Sequence, residues 1–256
     1  MPTCTRCGKC CQLGGAVLHL EDLTLLARFA EDKEPTKAGL ADLVTLRKGE
    51  LARDDVAGTL LPLEEECVKI APPAGDAGWT CRFLQDVEDE TGKLVAGCRI
   101  YAHRPAQCRA LDCSDTRAIS ALYATNRATR TALLHAVGAP EEWSQLILAH
   151  EETCAFARVA PLARLVLPPL NPGSPSEQEA TEALLETIRY DISFRTLCVE
   201  RGNISPSFLP FLLGRPLTET LDMFGLTVRP ALPGQTAGLS LVRKGQGVYG
   251  GLALFD

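Results

Sequence analysis

Apolar positions recur at helical spacing over residues 19–31, where Leu20, Leu23, Leu26, Ala27 and Ala30 fall on one face. A second, shorter helix is expected over 38–47. Two strands are expected over 79–84 and 94–100, joined by the polar turn Asp89-Glu90-Thr91-Gly92. Such a hairpin would carry Cys81 close to Cys98. Residues 115–136 read as helical, with Gly138 as the stop. Pro140 then suits a first helical position, and Glu141 and Glu142 favour the positive end of a helix over 140–160. The run Asn171-Pro172-Gly173-Ser174-Pro175-Ser176 marks a loop. Ser176 and Glu179 have the spacing of a capping box, opening a helix to about Arg201. Two short helices follow at 206–213 and 216–224, the second stopped by Gly225, and the glycine-rich, alternating tail over 226–256 reads as short strands. The expected class is α+β, mainly helical: a small cysteine-rich domain over 1–115, then a helical region over 116–256 with a short β tail.

Composition narrows the choice of function. The chain has 256 residues, a hydrophobic share of 46% and a formal charge of −6, so it can bury a real core and is not disordered as a whole. An acidic balance argues against a dedicated nucleic-acid binder. No apolar run reaches the roughly 18 residues of a membrane span. The start, Met1-Pro2-Thr3-Cys4, leads into no apolar stretch, so no signal peptide is expected and the chain is placed in the cytoplasm. Structural disulfides are rare there, and the 11 cysteines need another explanation.

Their distribution supplies one. Nine of the 11 lie within the first 113 residues, and four of those within eight positions: Cys4, Cys7, Cys10 and Cys11, spaced C-x2-C-x2-C-C. A C-x2-C step lets two sulfurs converge on one ion, and Gly8 supports the turn between them. Three cysteines at this spacing suit iron–sulfur ligation, and pairs suit tetrahedral zinc. Cys81 and the run Cys98-x9-Cys108-x4-Cys113 follow. Arg6, Lys9, Arg82, Arg99, Arg104 and Arg109 lie near these cysteines and would lower the cost of gathering thiolates. Pro105 biases Arg104 toward an extended conformation, so a helical turn would begin near Cys108, with Tyr101 and Arg104 bracing it.

Cys4-x2-Cys7-Gly8-x-Cys10-Cys11, Cys81-Arg82-Phe83-Leu84 and Cys98-Arg99-Ile100-Tyr101-Ala102-His103-Arg104-Pro105-Ala106-Gln107-Cys108-Arg109 together resemble the YkgJ-type cysteine-cluster family, a zinc- or iron-chelating CxxCxxCC domain. The resemblance covers roughly residues 1–115. It implies eight metal ligands: Cys4, Cys7, Cys10, Cys11, Cys81, Cys98, Cys108 and Cys113. Eight thiolates would serve two four-coordinate sites, or one iron–sulfur cluster and one zinc. The implied partners are metal ions and a possible protein partner, with no nucleic acid and no membrane. Cys67 lies outside the motifs, in an insertion that carries Glu64, Glu65 and Glu66. The cysteine region is also similar to that of flagellin lysine-N-methylase. This supplies an alternative, a metal-dependent protein-modifying enzyme, beside that of a redox enzyme using the cluster.

Other patterns carry less. Gly245-x-Gly247-x-x-Gly250 has the letters of a dinucleotide fingerprint but only six residues after it, too few for the required helix. His150 and Cys154 share a helix face with Ile147 and read as core packing rather than a metal pair. Cys198 reads as core; His103, inside the cysteine motif, could be an alternate imidazole ligand, but the eight sulfurs already suffice for two closed sites.

Overall fold

In a computed structural model of the chain, the structure describes residues 7–26, 38–54, 58–75, 78–88, 90, 92–123, 125–167, 174–230 and 238–243. It is α+β and mainly helical, as the pattern predicts, with four two-stranded antiparallel sheets among the described residues.

Helix α1, Lys9–Leu13, follows Gly8, whose φ of 75° lies in the left-handed region. The helix expected over 19–31 is a 3-10 turn, Leu20–Leu25, and 27–31 lie outside the described residues. The buried Asp22 carboxylate accepts from the His19 and Ala106 amides and holds this turn against a distant segment. The helix expected over 38–47 is corrected to a 3-10 turn, Leu40–Asp42, followed by strand β1, Leu43–Leu46. All four β1 residues are buried, Val44 and Thr45 are β-branched, and Thr45 Oγ1 donates to the Phe211 carbonyl. A short buried run of this kind has no helical face to show, and cross-chain pairing decides it. Strands β2, Leu51–Asp54, and β3, Thr59–Pro62, form a hairpin where the sequence pattern predicts no element. Strand β4, Cys67–Ile70, pairs with β1 from Leu43↔Ile70 to Leu46↔Cys67.

The cysteine-bearing hairpin forms, with its first strand displaced. β5 is Leu84–Glu88 and β6 is Leu94–Cys98, in register from Leu84↔Cys98 to Glu88↔Leu94. Residues 79–83 are loop and turn: Trp79 takes φ 62°, and the Cys81 amide donates to the Cys11 carbonyl at 2.7 Å. Helix α2, Ala106–Ala110, opens after Pro105, where a helical turn was expected.

The helix expected over 115–136 is two, α3, Arg117–Leu122, and α4, Arg130–Val137. Between them Asn126 has φ 48°, and Ala128 N–H donates to the Leu18 carbonyl, so the chain makes a bridge where helix was expected. α4 ends at Gly138 as predicted. The helix expected over 140–160 also divides, into α5, Glu141–Cys154, and α6, Phe156–Val166. Arg47 Nη1 takes the Cys154 carbonyl at 3.0 Å, and Ala155 turns extended. Pro140 caps α5 rather than opening it. Helix α7, Pro175–Glu200, is capped by Ser174, whose Oγ accepts from the Glu177 amide at 3.3 Å. The cap is thus Ser174, two residues before the expected Ser176. Most of the expected loop lies outside the described residues. After a 3-10 turn, Pro206–Phe208, come α8, Leu209–Leu212, and α9, Leu217–Thr220, then a turn Leu221–Phe224 closed by Gly225. β7, Leu226–Pro230, pairs with β8, Leu239–Arg243, and the Gly245–Gly250 pattern lies outside the described residues.

Two apolar cores result. The first joins Leu43, Ile70, Phe83 and Leu133 to Phe211 and Leu213 from far along the chain. The second packs Phe156 and Val159 of α6 on Leu184 and Ile188 of α7, with Leu217 and Leu221. Buried ionic groups, described below, adjoin both.

Candidate metal centre

Four segments converge on the cysteine region. α1 carries Cys10 and Cys11, with Cys7 just ahead of it. The Cys81 loop is tied to Cys11 through the backbone bond above, β6 ends in Cys98, and α2 carries Cys108. Gly8 allows the approach: a Cβ there would stand 2.7 Å from the Ala96 Cβ on β6. Cys7 and Cys10 are exposed, Cys11, Cys98 and Cys108 half-buried, and Cys81 buried.

Cys10, Cys11, Cys81 and Cys108 lie within electrostatic reach of one another, and Cys98 within reach of Cys81 and Cys108. The sulfurs of Cys10 and Cys11 are 3.8 Å apart, and the Cys11 thiol holds the Cys10 thiol down at about 6 while Cys11 itself is pushed up. Burial, then the neighbouring sulfurs, push Cys108 up to about 12; burial also raises Cys81. Thiols from separate segments that resist ionising together are what a bound cation relieves, because it offsets both desolvation and thiolate repulsion. The donor set fits a thiophilic ion or cluster in that sense. The sulfurs are gathered without closing into a compact set. Among the described residues, the group with ligand atoms all within 4.8 Å of one another is a different one, His150, Cys154 and Asp191.

Two of the cations expected to balance thiolates, Arg82 and Arg109, are engaged elsewhere. Arg82 donates to the Ala41 carbonyl and pairs with Asp42, and Arg109 pairs with Glu21 while donating to the Arg104 carbonyl. Arg104 lies 4.1 Å from the Tyr101 ring centroid and donates to the Tyr101 carbonyl, so these two brace each other at the entry to α2. Arg104 Nε and Gln107 Nε2 are buried without a hydrogen-bond partner. They sit on the same short segment as Cys108, and an anionic sulfur centre is a suitable acceptor for such donors.

The remaining candidates are dispersed. Cys4 lies outside the described residues, and Cys113 is exposed in the bend after α2. His103 ends the 3-10 turn Tyr101–His103. Cys67 is buried in β4, its thiol pushed up to about 11 by burial, and Cys198 is buried in α7.

A second group of polar side chains was not legible in the sequence. Arg47, Glu50, His150 and Asp191 are each no more than 1% exposed. Arg47 N–H donates to Glu50, which also accepts from Arg215. Arg130 binds Glu66 and Glu151, and Asp191 accepts from His150 Nε2 at 2.7 Å and Arg195 Nε at 2.8 Å. Burial tends to raise Asp191, but the His150 bond, the Arg195 charge and the Leu217 amide outweigh it and hold the carboxyl at about 2. His150 is pushed down by burial, against the pull of Asp191. Burial pushes the Cys154 thiol up to about 12. These partners come from positions far apart in sequence, such as 150 and 191, and no spacing rule connects them.

The comparison with known families decides the affiliation. The CxxCxxCC family, described as a putative zinc- or iron-chelating domain, matches residues 3–154. The chain belongs to the CxxCxxCC family. The match spans the cysteine segments and continues through α5 to Cys154, beyond the 1–115 covered by the motif resemblance. The description of the CxxCxxCC family supports metal binding and leaves open which metal. No curated protein and no solved structure matches the chain. No helix of the described residues is long and apolar enough to cross a membrane.

Proposed function

We propose that this chain is a cytoplasmic metal-binding protein holding an iron–sulfur cluster, with or without a zinc ion, on Cys4, Cys7, Cys10, Cys11, Cys81, Cys98, Cys108 and Cys113. The observation that carries the reading is the convergence of Cys10 and Cys11 with Cys81, Cys98 and Cys108, residues up to 98 positions apart. The C-x2-C-x2-C spacing favours the cluster over zinc alone. The segment over 1–115 then acts as the metal-binding unit, and the helical remainder covers it. A reducing compartment keeps the thiols available as ligands.

The test is purification without oxygen from iron-replete cells, followed by measurement of iron, zinc and acid-labile sulfide. The expected result is a coloured protein with iron and sulfide in equal amounts. A colourless, sulfide-free protein that carries zinc would overturn the cluster and leave a zinc protein. Absence of both metals would overturn the whole reading.

A further inference from the structure

The compact ligand group shares no residue with the cysteine convergence. His150 and Cys154 stand one turn apart on α5, and Asp191 faces them from α7; all three are fully buried. We propose that His150, Cys154 and Asp191 form a second metal site for a single zinc-class divalent ion. It is independent of the sulfur centre proposed above.

Three observations support the site. First, the donors are one imidazole nitrogen, one sulfur and one carboxylate oxygen, all within 4.8 Å of one another. Nitrogen, sulfur and oxygen donors are the set zinc accepts, and three protein ligands leave a fourth position. Second, the carboxylate is already oriented. Asp191 Oδ1 also accepts from Arg195 Nε at 2.8 Å, and Oδ2 accepts from the Leu217 amide at 2.9 Å. Groups of this kind hold a metal-binding carboxylate in place. Third, His150 Nδ1 is buried without a hydrogen bond, so the imidazole ring keeps an unsatisfied polar atom beside the other two donors.

The geometric change on loading is small. His150 Nε2 and Asp191 Oδ1 are 2.7 Å apart. Two tetrahedral ligands with bonds of about 2.0–2.1 Å stand roughly 3.3 Å apart, so an ion takes the place of the shared proton with a shift of about 0.6 Å. The Nε2 proton and the Cys154 thiol proton leave to solvent. Thiolate and carboxylate bring two negative charges to the divalent ion, with Arg195 still bonded to Asp191.

The test uses the full chain. Zinc per chain is counted by native mass spectrometry in four proteins: the unsubstituted chain, a variant with Cys4, Cys7, Cys10 and Cys11 all changed to Ser, Cys154→Ser, and His150→Gln. The glutamine amide retains a donor toward Asp191, so a purely structural role survives that change. The expected result is loss of one zinc in Cys154→Ser and in His150→Gln, with one zinc retained in the four-serine variant. Cobalt(II) added to the four-serine variant should give a thiolate-to-metal charge-transfer band that disappears when Cys154→Ser is combined with it. Equal zinc counts in the unsubstituted chain, His150→Gln and Cys154→Ser would overturn the site and leave a hydrogen-bonded His–Asp pair around water. Where Cys154→Ser fails to fold, a four-serine variant with no bound zinc and no cobalt band overturns it equally. A four-serine variant that keeps its zinc while losing only iron and sulfide separates this site from the sulfur centre.

Discussion

Gly8 carries two demands at once. Its φ of 75° excludes most side chains, and the 2.7 Å separation between a would-be Cβ and Ala96 leaves no room for one. Gly92 has a similar φ of 77° with nothing within 4 Å of the same position, so it isolates the backbone part. Gly92→Ala should therefore cost about 1 kcal/mol, and Gly8→Ala about 2–3 kcal/mol, by urea titration of the metal-free chain. Only Gly8→Ala should also lower the metal content, because it pushes α1 away from β6. Equal metal content in the two variants would mean that the approach of α1 to the hairpin does not position the sulfurs. At this scale the need for a turn at Gly8 was legible from C-x2-C spacing. Its collision partner was not, because Ala96 lies 88 positions away. The same holds for the rest of the site. The sulfurs declare themselves by spacing and composition, whereas Asp191 and Arg47 become visible only once helices pack.

Elements whose signals are local were read well. The stops at Gly138 and Gly225 and the C-terminal end of α7 depend on a few adjacent residues, and each falls where expected. Elements that depend on distant partners depart from the local pattern. β1 is a strand because β4 and Phe211 receive it, and α5 separates from α6 because Arg47 takes the Cys154 carbonyl. The start of α7 is an intermediate case: the capping motif occurs at Ser174-x-x-Glu177 and again at Ser176-x-x-Glu179. Pro175 decides between them, since it suits the first helical position after Ser174. Ser174→Ala should thus cost about 1 kcal/mol in thermal or urea unfolding. Ser176→Ala, inside the first turn, should stay within roughly 0.5 kcal/mol of the parent. The reverse order would show that the helix begins two residues later in solution.

At the scale of the molecule, the two apolar cores are connected through buried charge. Arg47, Arg130, Arg195 and Arg215 face Glu50, Glu66, Glu151 and Asp191, four cations against four anions. The hydrogen bonds of this layer run from the β1–β4 region to α5, α7 and the 212–217 segment. Arg130 is the most connected member: it donates to Glu66, Glu151 and the Leu212 carbonyl while only 4% exposed. Replacing such a layer with apolar residues throughout would cost little, because desolvation offsets much of the pairing energy. Removing one partner is different, since it leaves carboxylates without their cation. The side chains of Glu66 and Glu151 keep 19% and 25% exposure, which lets water recover part of the loss. Arg130→Met should therefore destabilise by about 3 kcal/mol, the lower end of the range for a broken buried pair. Arg130→Met combined with Glu66→Leu should recover a part of it, because one orphaned charge is gone. Urea unfolding followed by tryptophan fluorescence, from Trp79 and Trp143, and by far-ultraviolet circular dichroism measures both variants. Coincident transitions are expected, since Trp143 packs on Phe208 beside the first core while α6 and α7 enclose the second. Separated transitions in Arg130→Met alone would show that this residue couples the two cores, and a double variant no better than the single would refute the orphaned-charge explanation.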